Sequence, residues 1–173
     1  MNVLERFEAI TTFIFDIDGV LTDGNILVFP GNSFVRRMNI KDGYALQLAV
    51  KKGYKIAVIS GAHAPAVKER LNGLGIEDVF QKIDHKKDQL NSYMAEHDLN
   101  KKEVLFMGDD IPDLEAMQSA GLACCPADAV TEIKTIADYI SPWGGGLGCV
   151  RDVIEKVLKI NGHWDADTTI ASK

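Results

Sequence analysis

Short apolar runs alternating with helix-length segments constrain this chain more than any other feature. Thr12–Asp16, Tyr54–Ser60, Val79–Gln81, Val104–Met107, Leu122–Cys124 and Tyr139–Ile140 read as strands. Between them lie helical patterns: Val67, Leu71 and Leu74 recur at i, i+4, i+7 behind Pro65, a residue suited to a first helical turn. Leu90, Met94 and His97 mark a second helix, and Leu114 with Met117 a third, opened by Pro112. A last one runs from about Val150 to Ile160 and stops near Gly162. Strands and helices in alternation predict an α/β fold, a Rossmann-like three-layer sandwich around a mostly parallel sheet. No repeat, low-complexity segment or linker divides the chain, so residues 1–173 read as one domain.

One stretch breaks the alternation. Ile26–Phe29 and Phe34–Ile40 flank Pro30-Gly31-Asn32, a pattern that predicts a β-hairpin at about 25–40, directly after the first strand. Its arms are more apolar than a solvated ribbon should be, and an isolated hairpin is marginal in water. The expectation is that it packs against another subunit.

Composition narrows the classes of partner. The net charge is −6, from 25 acids against 19 bases, so there is no broad cationic surface for nucleic acid or an anionic membrane. No run approaches the roughly 20 apolar residues of a membrane span. Met1–Glu8 carries charge with no apolar core behind it, so no signal peptide is expected. Cys124, Cys125 and Cys149 are odd in number and include an adjacent pair, which suits reduced, buried thiols and a cytoplasmic setting.

The chemistry lies at the strand ends. In open α/β sheets, ligands bind outside the carboxyl ends of the strands. Asp16 and Asp18 end Phe13-Ile14-Phe15-Asp16-Ile17-Asp18-Gly19; Ser60-Gly61 ends Ile56–Ile59; Lys86 lies just beyond Val79–Gln81; Gly108-Asp109-Asp110 follows Val104–Met107, with Asp113 after it. Each is ordinary alone. On a parallel sheet they meet at one edge. Several carboxylates so close raise one another's pKa unless a cation intervenes, and hard oxygen donors suit Mg²⁺. A carboxylate can attack phosphorus in line to form an aspartyl-phosphate that water then hydrolyses. In that scheme Asp16 is the nucleophile and a metal ligand, and Asp18 the general acid and base. Ser60 and Lys86 (in preference to Lys87) hold the phosphoryl group, and Asp109 completes the metal shell.

These residues resemble a known family. Asp16-Ile17-Asp18-Gly19-Val20-Leu21-Thr22, then Ser60, Lys86 and Gly108-Asp109-Asp110-x-x-Asp113, are similar to the four motifs of the haloacid dehalogenase superfamily. Thr22-Asp23-Gly24, the hairpin, Asn39-Ile40-Lys41-Asp42-Gly43-Tyr44 and Gly145-Gly146-x-Gly148 resemble, more closely, its capless members that are 3-deoxy-D-manno-octulosonate (KDO) 8-phosphate phosphatases. The resemblance implies a haloacid-dehalogenase-like fold and a homotetramer in which hairpins associate and a neighbouring subunit helps close each site. It implies a sugar acid phosphate as substrate and a role in lipopolysaccharide synthesis. By motif position, Asp16, the backbone carbonyl of Asp18, and Asp109 would hold Mg²⁺, with Asp110 and Asp113 behind them. Substrate would meet Asp18, Asn39, Ile40, Lys41, Asp42, Gly43, Arg70 and Lys86. A guanidinium there suits a sugar acid, whose carboxylate it can grip bidentately.

The sequence departs from that family at Ala62, Gln47 and Leu147, where arginine is common, and at Lys41, which replaces an arginine. Phosphatases of nine-carbon sugar acid 9-phosphates share the scaffold and differ around Ala62, so they are the alternative. A phospho-accepting receiver domain combines similar groups but carries its acceptor aspartate on a later strand, where this chain has Ser60. A dinucleotide enzyme would need G-x-G-x-x-G after the first strand, and Asp-Gly-Val-Leu stands there. Gly144–Gly148 lacks a P-loop lysine and reads as a flexible loop near substrate. His163–Lys173 has no period and reads as disordered, or as folding over a neighbouring site.

Overall fold

Thr12, Phe13, Ile14 and Phe15 are all fully buried, so the strand they form must be covered on both faces and flanked on both sides. The structure, a computed structural model, describes residues 2–172. Its elements in chain order are α1 (Val3–Glu8), β1 (Thr12–Phe15), β2 (Leu27–Phe29), β3 (Ser33–Val35), α2 (Ile40–Lys51), β4 (Lys55–Ile59), α3 (Pro65–Gly73), β5 (Asp78–Phe80), α4 (Lys86–Glu96), β6 (Val104–Met107), α5 (Leu114–Ser119), β7 (Leu122–Cys125), α6 (Thr131–Ile136), β8 (Tyr139–Ile140) and α7 (Cys149–Ile160).

Six strands make one parallel sheet in the order β5-β4-β1-β6-β7-β8. The chain starts at the centre, winds outward through β4 and β5, then returns to β6 and winds the other way. A doubly wound sheet opens a crevice where the winding reverses, here between β1 and β6. Alternate side chains feed two cores. Phe13, Phe15, Val58 and Met107 pack with α2, α3 and α7; Ile14, Ala57, Ile59 and Phe106 pack with α4, α5 and α6. The expected three-layer α/β architecture is the one observed.

Three helices escaped the periodicity reading for physical reasons. α2 buries Asp42, Gly43, Ala45, Leu46, Leu48 and Ala49, a nearly continuous run with no single apolar stripe. It also carries Gly43, a poor helix former. α1 and α6 are too short, at six residues each, to display a period.

The hairpin forms, with Leu27 opposite Val35 and Phe29 opposite Ser33. Gly31 and Asn32 take positive φ values of 78° and 58°, which lets the chain reverse within the turn. The second arm ends at Val35, earlier than expected, because Met38 pairs with Thr22 and α2 opens at Ile40. Leu27, Val28, Phe29, Phe34 and Val35 are all exposed.

The segment expected to be disordered lies along α2 and α7 instead, with Lys173 outside the described residues. His163 Nδ1 is 2.8 Å from Tyr54 Oη, and the Arg151 guanidinium sits 5.2 Å from the Trp164 ring. Lys52 pairs with Asp165, Lys51 with Asp167, and Gln47 Nε2 donates to Ala171 O at 3.0 Å. These are side-chain pairings without a period, which is why no pattern announced them.

Candidate active site

Asp16 is the first residue beyond β1, and its N–H donates to Met107 O at 3.1 Å, so it rides on the β1–β6 ladder. Asp109 is the second residue beyond β6. Two neighbouring parallel strands thereby bring together carboxylates about ninety positions apart. Asp16, Asp109 and Asp113 each offer an oxygen within 4.8 Å of the others. Lys86, in the first turn of α4, lies 2.9 Å from Asp16 Oδ1 and 2.6 Å from Asp113 Oδ1, while Lys87 is exposed. Ser60 is the first residue beyond β4, the strand beside β1, and its Oγ accepts from Ala62 N–H at 3.2 Å.

The three clustered acids do different jobs. Asp113 is fully buried, and both its oxygens are engaged: Oδ1 by Lys86, Oδ2 by the Asp109 N–H at 3.1 Å. It is a strut that fixes Lys86 and the Asp109 backbone. Asp109 Oδ1 is buried with no hydrogen-bond partner. Asp110 is exposed and caps the following turn, accepting from Ile111 N–H at 2.8 Å.

Electrostatics point to a missing positive charge. Burial, then the Asp113 charge, push Asp16 up to about 7 despite Lys86. Burial and the charges of Asp16, Asp113 and Asp110 push Asp109 up to about 8. Burial alone would depress the Lys86 ammonium, but Asp16 and Asp113 outweigh it and raise it. One lysine does not balance three carboxylates in a buried space. The all-oxygen donor set and the orphaned Asp109 oxygen fit a hard divalent cation between Asp16 and Asp109.

The loop that carries Asp18 is built around glycine. Gly19 has φ +88°, and a Cβ there would stand 1.9 Å from Asp109 Oδ2. Only glycine lets this backbone close onto the carboxylate. Thr22 Oγ1 accepts from the Gly19 and Gly24 N–H groups, both at 3.3 Å. From the other side Gly145 presses so close that a Cβ would fall 2.0 Å from Gly19 O, while Gly146 N–H donates to Val20 O at 2.9 Å. The late glycine run, expected as a flexible loop, is a brace against this backbone. Asp128 Oδ1 accepts the Gly145 N–H at 2.9 Å and holds the brace in place.

The expected substrate residues divide. Ile40 and Arg70 line a groove of about 900 Å³ between the hairpin and α3, together with Phe34, Arg36 and His63. Asn39 and Lys41 line a second groove, of about 830 Å³, beside Leu147 and Arg151. Asn39 also caps α2, accepting from Lys41 N–H at 2.8 Å. Asp42 and Gly43 differ from expectation: both are buried within the helical layer. Asp42 turns inward to accept the Arg151 N–H at 2.8 Å in the first turn of α7, so it caps that helix rather than facing the grooves. Burial pushes its carboxyl up to about 6.

Sequence reasoning passed over Arg36. Its Nε donates to Asp18 Oδ1 at 2.6 Å and its Nη2 to Oδ2 at 3.0 Å. The available signal was an arginine two residues after Phe34, on the same side as that ring by strand alternation.

Known proteins resemble this chain in sequence and in fold. The family description of haloacid dehalogenase-like hydrolases matches residues 43–127. The 3-deoxy-D-manno-octulosonate 8-phosphate phosphatase KdsC of Escherichia coli (strain K12) is 31% identical over 164 residues, covering 95% of this chain and 87% of that protein. A probable YrbI family phosphatase from Pseudomonas syringae superposes with a TM-score of 0.92 at 33% identity, covering 96% of this chain and 95% of that one. The Moraxella catarrhalis 3-deoxy-D-manno-octulosonate 8-phosphate phosphatase, solved with magnesium ion, phosphate ion and KDO, superposes with a TM-score of 0.91 at 30% identity, covering 95% and 94%. The chain belongs to the 3-deoxy-D-manno-octulosonate 8-phosphate phosphatase family of the haloacid dehalogenase-like hydrolases.

Proposed function

We propose that this protein is a Mg²⁺-dependent phosphatase that hydrolyses a 2-keto-3-deoxy sugar acid phosphate, 3-deoxy-D-manno-octulosonate 8-phosphate, through an aspartyl-phosphate on Asp16. The observation that carries this reading is the trio Asp16, Asp109 and Lys86 gathered at one crevice with a surplus of negative charge. The relatives' named activity, and the magnesium, phosphate and KDO of the Moraxella catarrhalis structure, supply the substrate class.

In the first step Asp16 attacks phosphorus in line while Asp18 protonates the departing sugar oxygen. Lys86 and the Ser60 hydroxyl hold the equatorial phosphoryl oxygens. In the second step Asp18 takes a proton from water, which attacks the aspartyl-phosphate and frees Asp16. Asp113 touches no reacting atom; it orients Lys86 and the Asp109 backbone. Magnesium held by Asp16, Asp109 and the Asp18 carbonyl would neutralise charge on the transferring group. Arg70 suits the sugar carboxylate. The exposed apolar hairpin supports a homotetramer in which neighbours complete each site.

The test is a substrate panel on metal-stripped and Mg²⁺-restored enzyme. Eight-carbon sugar acid phosphate should be preferred, with activity absent after stripping and recovered with Mg²⁺. Preference for the nine-carbon acid would move the substrate assignment within the same chemistry. Preference for simple hexose phosphates would overturn the sugar-acid reading.

A further inference from the structure

We infer that Arg36 is a positioning residue for Asp18, its guanidinium fixing the plane of the carboxyl group that serves the leaving oxygen. The inference rests on the phosphatase reading above and adds a residue to it.

The backbone just after Asp18 is held by the Gly19 N–H on Thr22 Oγ1, but the Asp18 side chain is 34% exposed. A carboxyl there swings freely about its side-chain torsions unless something grips it. A general acid must stand within about 2.6–3.2 Å of the oxygen it protonates. Small errors in that placement cost rate steeply. Lys86 is already engaged by Asp16 and Asp113. Arg36 supplies the grip, with one nitrogen on each Asp18 oxygen at 2.6 and 3.0 Å; the fork takes one lone pair of each oxygen and leaves a second on each, where the proton that Asp18 passes to the leaving group is carried.

Three observations separate this contact from an ordinary surface ion pair. The Arg36 side chain is only 8% exposed, whereas that of its neighbour Arg37, paired with Asp23, is 81% exposed. The contact is a two-point fork, which defines a plane as a single ammonium cannot. The chain just after Arg36 is also tied to the catalytic loop, because Met38 pairs with Thr22. Arg36 is therefore delivered at a fixed distance from Asp18 by the base of the hairpin. The same side chain lines the 900 Å³ groove between the hairpin and α3.

A strut and a positioning residue make different kinetic predictions. With Mg²⁺ present, kcat/KM reports phosphoryl transfer to Asp16, the step in which the leaving group departs. A p-nitrophenolate leaves without a proton, whereas a sugar alkoxide needs one from Asp18. Arg36→Gln is expected to lower kcat/KM roughly 10–100-fold on a primary sugar phosphate and under about 3-fold on p-nitrophenyl phosphate. Arg36→Lys, which keeps charge and loses the fork, should fall between. In an Asp18→Asn background, Arg36→Gln should cause no further loss on either substrate.

Equal losses on both substrates, a further loss in the Asp18→Asn background, or undiminished activity in Arg36→Gln would each overturn the inference. Circular dichroism and sedimentation of each variant detect a collapsed fold or assembly, and a variant that lost either while losing both activities equally would make Arg36 a strut. A wild-type protein inert toward every phosphate monoester would instead sink the phosphatase reading itself.

Discussion

Asp42→Asn should change how stability depends on pH, by an amount that follows from one buried carboxyl. Asp42 is 2% exposed, and its Oδ2 has no hydrogen-bond partner. Burial raises its pKa from 3.8 to about 6, against the opposing pull of the Arg151 N–H. Below pH 3.8 both folded and unfolded chains hold the proton. Between 3.8 and 6 the unfolded chain releases it while the folded chain keeps it, so stability falls as pH rises. Above 6 both are ionised and the penalty is constant, at about 3 kcal/mol relative to acid. Between pH 4.5 and 7 the wild type should lose about 2 kcal/mol relative to Asp42→Asn, whose amide oxygen still accepts the Arg151 N–H. Urea denaturation of both proteins across that range measures it, and taking the difference cancels every other titrating group. A wild-type-minus-variant difference that is flat with pH, or that grows with pH, would refute the buried, under-bonded carboxyl and the sign argued from it.

Asp16→Asn should remove turnover by a factor beyond about 10³ while circular dichroism stays unchanged, because only the nucleophile is lost. Gly19→Ala would put a Cβ 1.9 Å from Asp109 Oδ2 in a backbone at φ +88°. Its Mg²⁺-activated rate should fall by more than about 10²-fold with a weakened Mg²⁺ titration, and wild-type behaviour would contradict the close approach. If neighbouring subunits complete the site as proposed, Val28→Asp in the exposed hairpin should yield monomers in sedimentation and reduce turnover with them; a fully active monomer would remove the neighbour from the mechanism.

The parts of the site that were legible share one property: they are set by local pattern plus strand direction. Asp16 and Asp109 end buried apolar runs, so once the sheet is parallel their meeting follows. Lys86 was harder, since nothing in Lys86-Lys87 says which side chain turns inward; the phase of α4 decides it, with Leu90 four residues on and buried on the same face. The contacts of Arg36 and Asp42 were illegible because their partners, Asp18 and the Arg151 N–H, come from segments that no period connects to them. Asp42 lies in a stretch that matched substrate contacts by motif, and α2 packs beside α7 with this side chain turned to the Arg151 N–H. The tail followed the same rule, being held by charges and rings chosen one at a time.

The central position of β1 also has a consequence for biosynthesis. A ribosome delivers the nucleophile's strand, β1, about ninety residues before its neighbour β6. Until then one flank of the strand is open, and the aspartate at its tip lacks its fellow acids, Asp109 and Asp113. Pairings across so long an intervening chain close slowly. Catalytic competence therefore arrives late and all at once, so the appearance of phosphatase activity during refolding would time the docking of the sheet's second half.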